Sequence, residues 1–412
     1  MPTAHAAARA VFVVFAASGF AFASWASRLP AVRDGLSFSE QDMGLLLLTG
    51  SIGSVAAIPL SGLVAERIGT ARTVLSFAGV LVVGLTVAGF GVALGEHLAV
   101  RLGLVLFGVG AGVWDAAMNL EGAAVEQRLG RAVMPVFHAG FSFGTVLGAG
   151  IGALVATLGV PVLWHVVAAG VLALGSVLVA IRYFSPTVVA AAVPDGAAVG
   201  TDGADPAAVT PPPSGVAGLL AAWREPRTLA IGLVVLASAL TEGVANDWVS
   251  LAVVDGFGTS DGTGAVGLAV FLTAMTTARL AGTRAIDRFG RVPVLVLSAL
   301  LAFVGVLTFA LVPFLWLALV GVALWGLGAA MGFPMGMSAA SDDPRRAAMR
   351  VAAVSTIAYT AFFVGPPLIG FVAHSTGYRL AVLVLLVPMV LGLAVARSVR
   401  PLPSAAGVQR RV

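Results

Sequence analysis

Twelve runs of roughly 20 apolar residues each divide this chain of 412 residues, and no other feature limits its fold as strongly. They lie near residues 9–29, 43–65, 73–95, 98–120, 135–158, 161–183, 228–252, 264–286, 292–312, 314–337, 349–373 and 379–398. A helix of this length spans the hydrocarbon layer of a bilayer. Lipid offers no hydrogen-bond partners, so each run must close its own backbone bonds, and runs this long read as helices, not barrel strands. Only 10% of the residues are charged and 59% are hydrophobic. A soluble domain carries roughly 25% charged residues, so a soluble enzyme, a disordered chain and a nucleic-acid-binding protein are excluded. The expectation is an all-α integral membrane protein with twelve transmembrane helices, numbered here as spans 1 to 12.

Composition removes several chemistries. The chain has no cysteine, so it has no disulfide, thiolate metal site or thiol nucleophile. All 23 basic residues are arginine, which leaves no amine for Schiff-base chemistry. Gly108-x-Gly-x-Gly112 lies inside an apolar run without a preceding strand, and no Walker-type loop is present. His138, with Ser142 one turn later, is the only hint of a hydrolase, and no third catalytic member accompanies it. The reading is that the chain is not an enzyme.

The arginines set orientation. With the N-terminus placed in the cytoplasm, 18 of the 23 fall on that side; Arg28, Arg33, Arg101 and Arg379 fall opposite, and Arg279 stays within the membrane. The positive-inside rule then puts both termini in the cytoplasm of a multi-pass protein of the cell (inner, cytoplasmic) membrane. Span 1 ends in Ser24, Ser27 and Arg28, which reads as a retained helix terminus and not as a signal-peptide cleavage site. Residues 184–226 carry Pro186, Pro194, Pro206, Pro211 to Pro213 and Pro226 with Asp195, Asp202 and Asp205. That composition cannot bury a core and reads as a flexible cytoplasmic linker. It separates an N-terminal half, 1–183, from a C-terminal half, 227–412, each with six spans.

The halves echo each other after their second span. Gly62 to Arg72 contains Glu66-Arg67-Ile-Gly69 and ends in Arg72; the second half repeats Asp287-Arg288-Phe-Gly290-Arg291. An acid, a basic neighbour, a glycine turn and another arginine suit a tight, charged connection between helices. Here the chain resembles the major facilitator superfamily over nearly its whole length, which implies two pseudo-symmetric six-helix bundles. It also implies a gate-latching role for Glu66, Arg67, Arg72, Asp287, Arg288 and Arg291. Glu66 stands where that family usually has Asp, Thr70 replaces a usual basic residue, and Leu104 occupies a place where span 4 often carries Arg.

A narrower resemblance lies within the spans. Asp115-Ala-Ala-Met-Asn119, Glu242 followed by Trp248, Arg279-Leu-Ala-Gly282, and Gly326-Leu with Phe333-Pro334 and Ser338 are similar to the fucose permease branch. His138 stands where those permeases often carry a polar residue. Ser27 to Pro30 resembles the Ser-Arg-Leu-Pro of the MosC-like proteins. The span 1 carboxylate of the fucose permeases is absent.

A charge at the bilayer centre costs at least ~2.5–3.5 kcal/mol, so Asp115, Glu242, Asp247 and Arg279 must be paired, neutralised or facing water. Arg279 lies at a level from which it can reach either Glu242 or Asp115. A cleft opening alternately to each side changes both the desolvation and the counter-charge felt by an acid, and so loads and releases a proton. Asp115 and Glu242 are the candidate proton-coupling acids, with Arg279 as counter-charge. A static ion pair fixing helix register is the competing reading. For the substrate, the candidates are the faces of Trp25, Trp248, Trp325 and Tyr359 and the polar groups of Asn119, His138, Asn246 and Asp247. Core or interfacial packing is the alternative for the aromatics.

Gly140, Gly144, Gly148 and Gly152 recur every fourth residue on span 5, the spacing of close helix packing against a neighbour that slides during transport. Pro334 and Pro366-Pro367 free backbone carbonyls and bend spans 10 and 11. The functional expectation is a monomeric secondary transporter without a cofactor or metal, driven by the proton gradient. Its partners are protons, the lipid bilayer and a small polar solute, such as a sugar or polyol, taken up by alternating access; the alternative is proton-driven efflux of drugs or amphipathic metabolites.

Overall fold

The computed structural model describes residues 3–129, 133–184, 221–343 and 346–402. Among these residues the secondary structure is helical, without strands. Eleven helices are long and apolar enough to cross a membrane, and a shorter apolar segment over Tyr378–Ala394 supplies the twelfth. Spans 1 to 6 are α1 (Ala4–Ala26), α3 (Glu40–Ile68), α4 (Thr70–Leu94), α5 (His97–Leu129), α6 (Met134–Thr157) and α7 (Val162–Ala180). A short helix, α2 (Leu29–Leu36), follows span 1 and was not anticipated. Spans 7 to 9 are α8 (Pro226–Phe257), α9 (Asp261–Phe289) and α10 (Arg291–Leu311). Span 10 is broken into α11 (Leu315–Ala329) and α12 (Gly332–Ala340), and span 11 is α13 (Ala347–Thr376). Span 12 is broken too, into α14 (Tyr378–Ala381), a 3-10 turn and α15 (Leu386–Ala394). Of the expected linker, residues 185–220 lie outside the described residues.

Local chemistry sets the helix starts. Ser39 caps α3 in a reciprocal box: its hydroxyl accepts the Asp42 N–H, and the Asp42 carboxylate accepts the Ser39 N–H. Ser260 caps α9 in the same topological place of the second half, accepting the Thr263 N–H.

The sequence repeat is a repeat of backbone geometry. Gly69 joins α3 to α4 at φ 83° and ψ 154°, and Gly290 joins α9 to α10 at φ 83° and ψ 164°. Only glycine adopts this region without strain. Each loop is then tied to the helix end beside it. Thr70 donates to Glu121 at 2.6 Å, and Arg291 donates to Asp342 at 2.7 Å.

The glycine stripe of span 5 packs on α1, within the same half. A Cβ at Gly144 would strike the Ala16 carbonyl, and one at Gly152 would strike Ser27 Oγ. The stripe therefore joins α6 to α1 within one half and does not lie at the boundary between the halves, where the sequence reading puts a sliding neighbour. The spacing alone showed only that some backbone comes close.

The first and last described residues lie at one end of the bundle, called here the terminal end, where Arg227 at the start of α8 donates to the carbonyls of Ser398 and Arg400. At the opposite, far end the halves meet backbone to backbone. A Cβ on Gly44 of α3 would lie 2.8 Å from the Pro366 carbonyl of α13, and one on Gly370 would lie 2.7 Å from the Glu40 carbonyl. Gly262 of α9 is seated on Thr157 of α6. Arg33 pairs with Asp255 across the same end, and Glu40 faces His374 at 3.6 Å. At the terminal end Glu66, Arg67, Arg72, Asp287 and Arg288 are exposed. Ion pairs at this end join elements of the C-terminal half: Arg227 and Arg291 with Asp342, and Arg350 with Glu225 and Asp343. The bundle is thus closed at the far end and open at the end bearing the termini.

Candidate functional site

Glu242 sits mid-way along α8 and Arg279 two-thirds along α9. Their side chains meet with Nη2 donating to Oε2 at 2.8 Å. Neither is sealed off: 29% of the arginine side chain and 24% of the glutamate side chain is exposed. Arg279 also directs Nε at the Ala330 carbonyl, at a long 3.5 Å. That carbonyl lies at the break between α11 and α12, four residues before Pro334. Proline has no N–H to return to the carbonyl of residue i−4. The acceptor that steadies Arg279 therefore exists because Pro334 is in the chain.

The N-terminal half faces this pair with three polar residues. His138 of α6 is exposed and lies within electrostatic reach of Arg279, its ring edge-on to Phe15 at 5.2 Å. Asp115 of α5 is exposed, and Asn119 one turn on donates to the Asp115 carbonyl at 2.8 Å. The charge of Asp115 reaches Tyr359 of α13, which is 39% exposed. No basic side chain lies within ion-pair distance of Asp115 among the described residues. The structure therefore brings together Asp115, Asn119 and His138 from one half with Glu242, Arg279 and Tyr359 from the other, around a cleft open at the terminal end. One acid is paired with the permanent cation and one is not. An acid without a fixed counter-charge in a wettable cleft is suited to binding and releasing a proton, while the neighbouring amide, imidazole and phenol suit hydroxyl groups.

Other expected site residues sit elsewhere. Trp25, Trp248 and Trp325 are core residues with at most 4% of their surface exposed. Trp325 donates to the Thr241 carbonyl at 3.1 Å and packs on Phe271 and Phe309; Trp248 lies on Tyr378 at 5.2 Å. In this conformation they offer no face to a ligand, which corrects the sequence reading. Their spacing placed them on the right helices but could not show which side of each helix faces another helix. Asn246 and Asp247 are partly buried further toward the far end, with Asn246 Oδ1 fully enclosed. The six gate candidates divide as well. Arg291 is held by Asp342 and by Ser338 at 3.0 Å, and Arg288 lies over the Phe289 ring at 5.2 Å. Glu66, Arg67, Arg72 and Asp287 are exposed at the open end.

Sequence reasoning missed the far-end closure: Arg33 with Asp255, Glu40 with His374, and the Gly44–Gly370 crossing. The one available signal was glycine within an apolar run, shared by dozens of positions.

Comparison with known proteins places this architecture. The profile of the Major Facilitator Superfamily matches residues 11–343 and 231–411. The chain belongs to the major facilitator superfamily. An uncharacterised transporter, y4wD, of Sinorhizobium fredii is 31% identical over 375 residues, covering 90% of this chain and 92% of that protein. The membrane protein MosC of Rhizobium meliloti is 27% identical, covering 91% of this chain and 85% of that one. The resemblance to the MosC-like proteins read from Ser27 to Pro30 is met by this relative. Among solved structures, the D323A mutant of the nucleoside transporter NupG superposes with a TM-score of 0.74 at 14% identity, covering 95% of this chain and 98% of NupG. The fucose:proton symporter FucP of E. coli superposes at 0.59 with 16% identity, covering 95% and 98%. At these identities the likeness concerns the fold alone. The protein is a multi-pass membrane transporter of the superfamily and not an enzyme.

Proposed function

We propose that this transporter is a proton-coupled importer of a small polar, hydroxylated solute in the cell membrane, working as a monomer by alternating access. The observation that carries the reading is the juxtaposition, across one open cleft, of the Glu242–Arg279 pair with unpaired Asp115 and with Asn119, His138 and Tyr359. Asp115 takes up and releases the proton, and Glu242 is the second coupling acid. Arg279 stays charged at any relevant pH and serves as the counter-charge whose pairing changes with the conformational state. The gradient of protons is the energy source, and no cofactor is involved. With the termini in the cytoplasm, as the arginine distribution favours, the open end is cytoplasmic and the conformation is inward-facing. The stretch up to residue 220 acts as the cytoplasmic linker between the halves, and the last residues expected to belong to it, 221–226, are instead part of the C-terminal half: 221–224 are helical and Glu225 caps α8. The exposed charges Glu66, Arg67, Arg72, Asp287 and Arg288 then come together, with Arg291, only when the cytoplasmic end closes.

Reconstituted vesicles carrying an internal pH dye test this directly. Addition of sugars and inositols outside is expected to acidify the lumen with at least one of them. Silence across the panel, with a response to a lipophilic cation, would overturn the reading in favour of proton-driven efflux.

A further inference from the structure

A groove of about 830 Å³ runs between α1 and α7 near the terminal end, away from the cleft between the halves. Its walls are apolar and exposed: Val13 on α1, and Val171, Leu172 and Val179 on α7, each 40% or more accessible. Every lining residue comes from the N-terminal half. In a membrane-spanning bundle such a surface faces lipid, and an unfilled hollow loses the dispersion contacts of its lining. The hollow exists because small residues line it. A side chain added at Gly175 would meet nothing within 4 Å, while the Ser176 hydroxyl is turned back onto the Leu172 carbonyl at 2.8 Å.

The groove has one charge. Arg9 lines it with no acidic residue beside it, and among the described residues Arg9 has no ion pair. Tyr183, 48% exposed, lines it at the end of span 6. An arginine and a phenol beside apolar walls, near a helix end, ask for an anionic group at interface depth joined to a chain that continues into hydrocarbon. Free phosphate would leave the walls uncovered. A zwitterionic lipid would bring its own cation to a site that already has one.

We propose that this groove binds one anionic phospholipid, its phosphate held by Arg9 and Tyr183 and one acyl chain laid along α7 past Gly175. The site is independent of the transport reaction proposed above.

Native mass spectrometry of the full chain in detergent tests it, titrating phosphatidylglycerol, phosphatidylcholine of the same acyl chains, or inorganic phosphate. The wild-type protein is expected to retain one phosphatidylglycerol about five-fold tighter than phosphatidylcholine, the factor one arginine near an anionic lipid surface provides. Arg9→Gln should remove that preference and leave phosphatidylcholine binding as it was, whereas Arg9→Lys should keep most of it. Gly175→Leu, a change that favours helix, should weaken both lipids by filling the hollow; an unchanged melting temperature separates this from unfolding. Equal binding of the two lipids by wild type, or undiminished lipid binding by Gly175→Leu, would overturn the proposal. So would displacement of phosphatidylglycerol by an equal concentration of inorganic phosphate.

Discussion

Asp115 and the Glu242–Arg279 pair are the residues on which transport turns in our reading, and they respond differently to substitution. Asp115→Asn keeps the shape and removes the titrating group. It should abolish uphill uptake in vesicles and leave counterflow exchange of the same solute intact; an unchanged proton-driven gradient would remove Asp115 from the role. Glu242 and Arg279 interact directly but stay partly wet, so their attraction is screened. A double-mutant cycle with Glu242→Gln and Arg279→Gln, read by thermal unfolding in detergent, should give a coupling of about 1 kcal/mol. A coupling near zero would mean the pair contributes nothing to this conformer. Both acids and the arginine were legible in the chain, because a charge among apolar residues is conspicuous. The choice of partner was not, since Arg279 lay within reach of Glu242 and Asp115 alike. The carbonyl of Ala330, released by Pro334, helps direct Arg279, and only the folded bundle brings α9 beside that break.

Among the elements, two kinds of glycine do different work. Gly69 and Gly290 hold a backbone conformation closed to other residues. Gly290→Ala should lower stability by about 1–3 kcal/mol, measurable by calorimetry, even though an added Cβ there would touch nothing. Gly44 and Gly370 instead let α3 and α13 touch at the far end. Gly44→Leu would drive a side chain into the Pro366 carbonyl and should favour the conformer open at that end. The chain has no cysteine, so Asn246→Cys in this background gives a single reporter thiol. Its labelling by an impermeant reagent from the far side should rise with Gly44→Leu; no change would mean the crossing does not govern closure. The charged loops after α3 and α9 could be read from the sequence because glycine with flanking charges has few other uses in such a chain. Pro334 signalled a bend in span 10, but that the span breaks into α11 and α12, and that span 12 breaks as well, could not be read from continuous apolar runs.

At the scale of the molecule, the C-terminal half is fastened at its open end by buried charge. Arg350 grips Glu225 through two hydrogen bonds, at 2.6 and 2.8 Å, and Thr228 adds a third at 2.9 Å. Burial pushes the Glu225 carboxyl up, but these bonds and the charges of Arg350 and Arg346 outweigh it and hold the group below its ordinary value of 4.5. A depressed folded-state value means that the stabilisation is complete above the ordinary value. It is lost as the pH falls through the lower one. The melting temperature of wild type should therefore exceed that of Glu225→Gln at neutral pH, and the gap should close in acid. A gap that widened on acidification would reverse the sign of this argument.

The sequence by itself determined the environment, the helical class, the span count and the twofold repeat. Each follows from local requirements: apolar length, backbone hydrogen bonding in lipid, and glycine at one backbone angle. Tertiary structure alone decided which face of each helix looks into the cleft, which sent three tryptophans into the core and left Tyr359 at the surface. It also decided which end of the bundle is shut. The physical reason is that a bilayer rewards apolar surface on every side of a helix, so hydropathy carries little information about which neighbour that helix will meet.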